Sequence, residues 1–136
     1  GMPGAAWPAV AQALCRRGWL AADDVARVWR LWWFGRLIAN SDMREGNLSF
    51  RPGLSLAPAY DMLPMAYAPL RGGELPSYRF DPPQPRPEEA GDWQAAADPA
   101  IAFWRRCATD DRVGTAFRET CAANAGRIEG FNQKAV

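Results

Sequence analysis

The chain has 136 residues, a formal net charge of +1, twelve glycines, twelve prolines and no histidine. That length suits one domain with a real core and is short for a two-lobed enzyme, while the near-neutral charge argues against a nucleic-acid surface or an anionic membrane as partner. Without histidine, imidazole base chemistry and His-containing zinc sites are excluded within these residues, so acid-base work falls to carboxylates.

Residues 5–17 are Ala-rich, carry Pro8 in the first turn and run to Gly18, which predicts a helix ended by a glycine with two arginines in its last turn. A second helix opens at Asp23-Asp24 and continues through Val25, Val28, Trp29, Trp32, Trp33, Leu37 and Ile38. Beyond Val28 it is apolar almost all round, which places it in the centre of the domain with Arg27, Arg30 and Arg36 reaching the rim or pairing. The tryptophans read as core. No run of about 18 apolar residues occurs, and no charged segment precedes an apolar stretch at the N-terminus, so neither a spanning helix nor a secretory signal is expected.

From Asn40 to Asp61 the chain reads as a loop, a short hairpin and a second loop. Leu48-Ser49-Phe50 and Leu54-Ser55-Leu56 alternate in character around a turn at Arg51-Pro52-Gly53. Asp42 and Asn47 stand in the order Asp-x-x-x-x-Asn, and Asp61 follows the return strand, where a hairpin would bring it back towards Asn47. In protein kinases that spacing joins a carboxylate that accepts the hydroxyl proton to an amide that binds Mg²⁺, with a later Asp completing the metal site. The competing reading is turn chemistry, because Asp and Asn side chains commonly hydrogen-bond their own loops.

Prolines at 69, 76, 82, 83, 85 and 87, with Gly72-Gly73, predict a long irregular loop over 68–87. Tyr78 and Arg79 are candidate partner contacts on it. A short helix is expected from Glu88 to Ala97, then another with Asp98 as cap and Pro99 at its first position. A last helix is capped near Thr109 or Asp110 and aligns Val113, Ala116, Phe117, Thr120, Cys121, Ala125 and Ile128. Cys15, Cys107 and Cys121 are odd in number and widely spaced, as for reduced core thiols in a cytosolic protein.

The segments Asn40-Ser41-Asp42-Met43-Arg44-Glu45-Gly46-Asn47 and Leu56-Ala57-Pro58-Ala59-Tyr60-Asp61 resemble the C-terminal, helical half of HipA-like serine/threonine kinases, the toxins of bacterial toxin-antitoxin pairs. Ser41, Met43 and Gly46 point to the YjjJ-like branch. The likeness is specific over about residues 28–66, and Arg44 stands where the family usually has His. It implies a mainly α fold, a kinase C-lobe-like domain over 1–136 with a short β-hairpin carrying the catalytic and metal loop. It further implies transfer of the ATP γ-phosphoryl to a protein serine or threonine, with Asp42 as base, Asn47 and Asp61 as Mg²⁺ ligands, and ATP and Mg²⁺ as cofactors.

The N-terminal nucleotide-binding lobe is expected to be absent. Lys134 is the only lysine, and neither G-x-G-x-x-G nor G-x-x-x-x-G-K-[ST] occurs. A fragment or degenerate member is therefore expected, inactive alone, with an antitoxin-like protein or a separate N-terminal lobe as partner. The alternative is a non-catalytic interaction module that binds an antitoxin-like or regulatory partner.

Overall fold

The computed structural model describes residues 6–41, 43, 50–51, 55–56, 62–74 and 76–134, with backbone alone at 50–51, 55–56 and 133–134. The domain is mainly helical. Helix α1 spans Trp7–Arg16, α2 Ala22–Leu37, α3 Ala90–Thr109 and α4 Thr115–Lys134. Helix α3 packs on both α2 and α4, and α1 packs on α2. Among the described residues no helix is long and apolar enough to cross a membrane.

Helix α1 ends as its sequence dictates. Gly18 adopts φ +74°, its N–H reaches the Cys15 carbonyl at 2.9 Å, and the Trp19 N–H reaches that of Leu14 at 2.9 Å. This paired closure needs a residue that tolerates left-handed backbone. Helix α2 carries Asp23 and Asp24 in its first turn and Arg36 in its last, the charge order that the helix dipole favours. Arg27 pairs with Asp24 at 3.5 Å.

Two apolar clusters meet along α2. One gathers Trp7, Ala11, Leu20 and Val28; the larger gathers Trp33, Leu37, Ile38, Phe80, Trp93, Trp104, Cys121 and Ile128, among others. Trp7, Trp33, Trp93 and Trp104 are fully buried, whereas Trp19 is 52% exposed with Arg17 over its ring. Removing any one of the buried four should cost ~3–5 kcal/mol. The Trp104 indole N–H also donates to the Leu37 carbonyl at 2.9 Å, satisfying an acceptor at the end of α2.

The break expected at Asp98-Pro99 does not occur, and α3 runs through it with Pro99 inside. Trp93, Ala96, Ala97, Ala100 and Trp104 form one continuous buried stripe, while Ala95, Asp98 and Pro99 face solvent. The Ala95 carbonyl, which Pro99 cannot serve with an N–H, therefore lies on the wet side of the helix. Burial of the stripe outweighs the local cost. The last helix likewise starts later than expected: Asp110 turns the chain by accepting the Arg112 N–H at 2.9 Å, and α4 begins at Thr115.

Residues 68–74 and 76–86 are irregular, bounded by single 3₁₀ turns at Met65–Tyr67 and Pro87–Glu89. Phe80 anchors this stretch in the core, and the Pro83 carbonyl accepts from the Trp93 indole at 2.9 Å. The described β structure is one antiparallel pair of two-residue strands, β1 Phe50–Arg51 and β2 Ser55–Leu56, with Phe50 opposite Leu56 and Arg51 opposite Ser55. Arg51 thus belongs to a strand rather than to the turn expected for it. A ladder of this length adds little stability of its own.

Candidate functional site

Helix α2 closes at its C-terminus by the same paired bonding as α1, with one difference. The Asn40 N–H donates to the Gly35 carbonyl at 2.8 Å and the Ala39 N–H to that of Arg36 at 3.2 Å, but the left-handed position, φ +61°, is held by Ala39. An alanine there costs about 1–2 kcal/mol relative to a right-handed backbone. Its side chain is buried, and its carbonyl accepts the Ala66 N–H at 3.0 Å. That bond ties the chain beyond residue 61 to the chain before residue 42.

A second tie lies one turn back. A carbon placed on Gly35 would overlap Met43 Sδ and stand 3.2 Å from Met62 Cε, so both thioether ends rest against the bare backbone of this glycine. Met43 directly follows Asp42, and Met62 directly follows Asp61. The buried Asn40 amide donates to Met62 Sδ at 3.7 Å, a long contact to a weak acceptor. Asp42, Asn47 and Asp61 themselves, with Arg44 and Gly46, lie outside the described residues. Among the described residues no cluster of three His, Cys, Asp or Glu side chains could hold a metal. Lys134 is the last residue of α4.

Beside this junction is a partly open cleft of about 230 Å³, lined by Arg36, Asn40 and Ser41 from the end of α2 and by Tyr78, Phe80 and Asp81 from the irregular stretch. Arg36 is half-buried on the lining of this cleft, and among the described residues it pairs with no carboxylate. Its guanidinium lies 4.4 Å from the Trp32 ring centroid and 4.7 Å from that of Trp33. Burial pushes its pKa down, opposed by the more distant charge of Glu89.

A buried polar chain backs the cleft, and sequence reasoning missed it. Asn124, fully buried on α4, donates to the Tyr67 hydroxyl at 3.0 Å and accepts from Arg127 at 3.0 Å; Arg127 also reaches the Phe80 carbonyl at 3.4 Å. Tyr67 sits edge-on to Tyr78, Trp104 and Phe117, and burial pushes its pKa up. The one signal in the sequence was an asparagine spaced helically with Cys121 and Ile128.

The fold and these anchors define a mainly helical domain in which Ala39 and Gly35, at the end of one central helix, meet Ala66, Met43 and Met62. No family model matches the chain, and no solved structure matches it. Over 131 residues it is 38% identical to Toxin YjjJ of Escherichia coli (strain K12), an alignment covering 94% of this chain and 30% of that protein. The chain thus spans less than a third of the length of the curated relative it matches, and it is related to a toxin through that portion.

Proposed function

We propose that these residues are the base-and-metal half of a HipA-like protein serine/threonine kinase, in which Asp42 is the general base and Asn47 and Asp61 are Mg²⁺ ligands. The observation that carries this reading is the meeting of Met43 and Met62 on Gly35, because it draws together the immediate successors of Asp42 and Asp61. The similarity to a toxin supports it. A short hairpin between Asn47 and Asp61 is part of the same proposal.

The Asp61 carboxylate and the Asn47 amide carbonyl are hard oxygen donors of the kind that suits Mg²⁺. When bound, that cation offsets charge on the phosphates of ATP. The chain's own part is positional. Asp42 takes the proton of a protein serine or threonine hydroxyl as its oxygen bonds to the γ-phosphorus, and the bond to the bridging β–γ oxygen breaks to release ADP. With one lysine and no Gly-rich turn, these 136 residues hold no phosphate clamp of the usual kind. Without one the transition state loses about 3–4 kcal/mol or more. Nucleotide capture then depends on a polypeptide segment outside them.

Incubating the purified chain with γ-labelled ATP and Mg²⁺ tests this. We expect feeble nucleotide binding and no autophosphorylation, with label transfer appearing when a nucleotide-binding lobe is added and disappearing in Asp42→Ala. Tight ATP binding with autophosphorylation by the chain alone would overturn its dependence on another lobe, and transfer that survives Asp42→Ala would overturn the base.

A second reading rests on exposed apolar side chains that follow Asp61. Leu63 and Leu70 are each 54% exposed and Tyr78 is 43% exposed. They would suit a non-catalytic module docking on an antitoxin-like or regulatory protein. The double variant Asp42→Ala, Asp61→Ala separates the two, since a docking module keeps its partner affinity and a metal site loses its cation.

A further inference from the structure

Arg36 carries five N–H donors, and among the described residues none of them has a hydrogen-bond acceptor or an ion-pair partner. The two indole faces beside it offset part of the cost of its half-burial but supply no lone pairs. Just beneath, the indole N–H of the buried Trp33 is likewise without an acceptor. The end of α2 therefore holds a surplus of donors around a fixed positive charge, and that charge lines an open cleft.

We propose that this cleft binds a single oxyanion group, a carboxylate or a phosphate. Arg36 supplies the charge and the donor fork, while Ser41 and Tyr78, which line the same space, supply hydroxyls. Guanidinium geometry matches such groups with two parallel hydrogen bonds, and contact with the inclined rings of Trp32 and Trp33 restrains the fork before the ligand arrives. The size selects the ligand. About 230 Å³ is below the ~300–1,000 Å³ of pockets for whole small molecules, so a nucleotide is too large while one charged group fits. Asp81 is the opposing charge on the lining, but its side chain is 84% exposed and lies 3.9 Å from the Arg79 guanidinium, which screens it. Glu89 acts on Arg36 only at longer range, and its carboxylate accepts the Arg86 backbone N–H at 2.9 Å. The site is independent of the phosphoryl-transfer proposal, and either can fail without the other.

The test is a titration followed by the Arg36 Nε–H resonance and by tryptophan emission at constant ionic strength. The probes are inorganic phosphate, N-acetylglutamate amide and, as the neutral control, N-acetylglutamine amide. Expected are a saturable shift with at least one oxyanion, none with the glutamine analogue, and affinity reduced about tenfold or more in Arg36→Lys, where the fork is lost. The tighter of the two oxyanions identifies a phosphate group or an acidic side chain as the natural occupant. No saturable shift in the unaltered chain, an equal response to the neutral analogue, or undiminished binding by Arg36→Lys would overturn the proposal. The first two outcomes need no variant, so a variant that fails to fold does not protect it.

Discussion

At Gly35 a hydrogen stands where any other residue would carry a carbon, and the thioether of Met43 fills that volume. Alanine there should gain about 1 kcal/mol of helix propensity and lose a similar amount to crowding, because the displaced atoms are the free ends of flexible side chains. Gly35→Ala is therefore expected to leave the unfolding free energy, read from urea titration, within about 1 kcal/mol of its starting value. In the same protein the methyl resonances of Met43 and Met62 should move; unmoved methyls would show that the two residues do not share this glycine. Cys121 offers a second test. Burial, then the neighbouring Cys107, pushes its thiol from the ordinary 9.0 up to about 12. A folded value above the unfolded one means that its contribution is complete below pH 9 and drains away as pH rises from there towards 12. The melting temperature should fall across that window, and Cys121→Ala should flatten the fall. Cys121 was legible as a core thiol and Cys107 packs against the same cluster, whereas Cys15, expected in the core as well, is only half-buried and outside both clusters. Asn124 was not, because its role depends on a tyrosine hydroxyl 57 residues away. Arg36 was expected at the rim or in a pair; it is half-buried at a cleft, and nothing in the sequence says that two neighbouring rings will hold it there.

Helix α3 shows where local signals give way to packing. Asp98-Pro99 is a strong start signal taken alone, but both residues face solvent and the buried stripe from Trp93 to Trp104 continues beneath them. Pro99→Ala should restore a hydrogen bond to the Ala95 carbonyl and relieve ring crowding, stabilising the domain by ~1–3 kcal/mol in chemical denaturation. Unchanged or lowered stability would mean that the proline relieves strain of another kind. The ends of α1 and α2 bracket the limits of such reading. Gly18 announced its stop, whereas Ala39 adopts the same left-handed backbone without a glycine to mark it. The irregular course of 68–74 and 76–86 followed from the prolines, but not the anchoring through Phe80 and the Pro83 carbonyl.

Over the whole molecule, α2 joins both apolar clusters and carries Arg36, Gly35, Ala39 and Asn40 at one end. The segment after Asp61 is bound to that end twice, through the Ala66 N–H and through Met62. A rigid central helix that gathers two chain segments is a sound base for a loop site. The mainly helical class was legible from periodicity, and the resemblance to a toxin-related family agrees with the similarity to Toxin YjjJ. Asp42, Asn47 and Asp61 were legible as candidates by spacing, and their convergence remains the central claim. Paramagnetic broadening by Mn²⁺, which registers even weak occupancy, tests it most directly. If Asn47 and Asp61 hold a divalent cation beside Asp42, low Mn²⁺ should broaden the amide signals of Met43 and Met62 while sparing those of α4, with excess Mg²⁺ and Asp61→Ala each abolishing the effect. Uniform broadening, or selective broadening that persists when Asp42 and Asp61 are both alanine, would contradict the account.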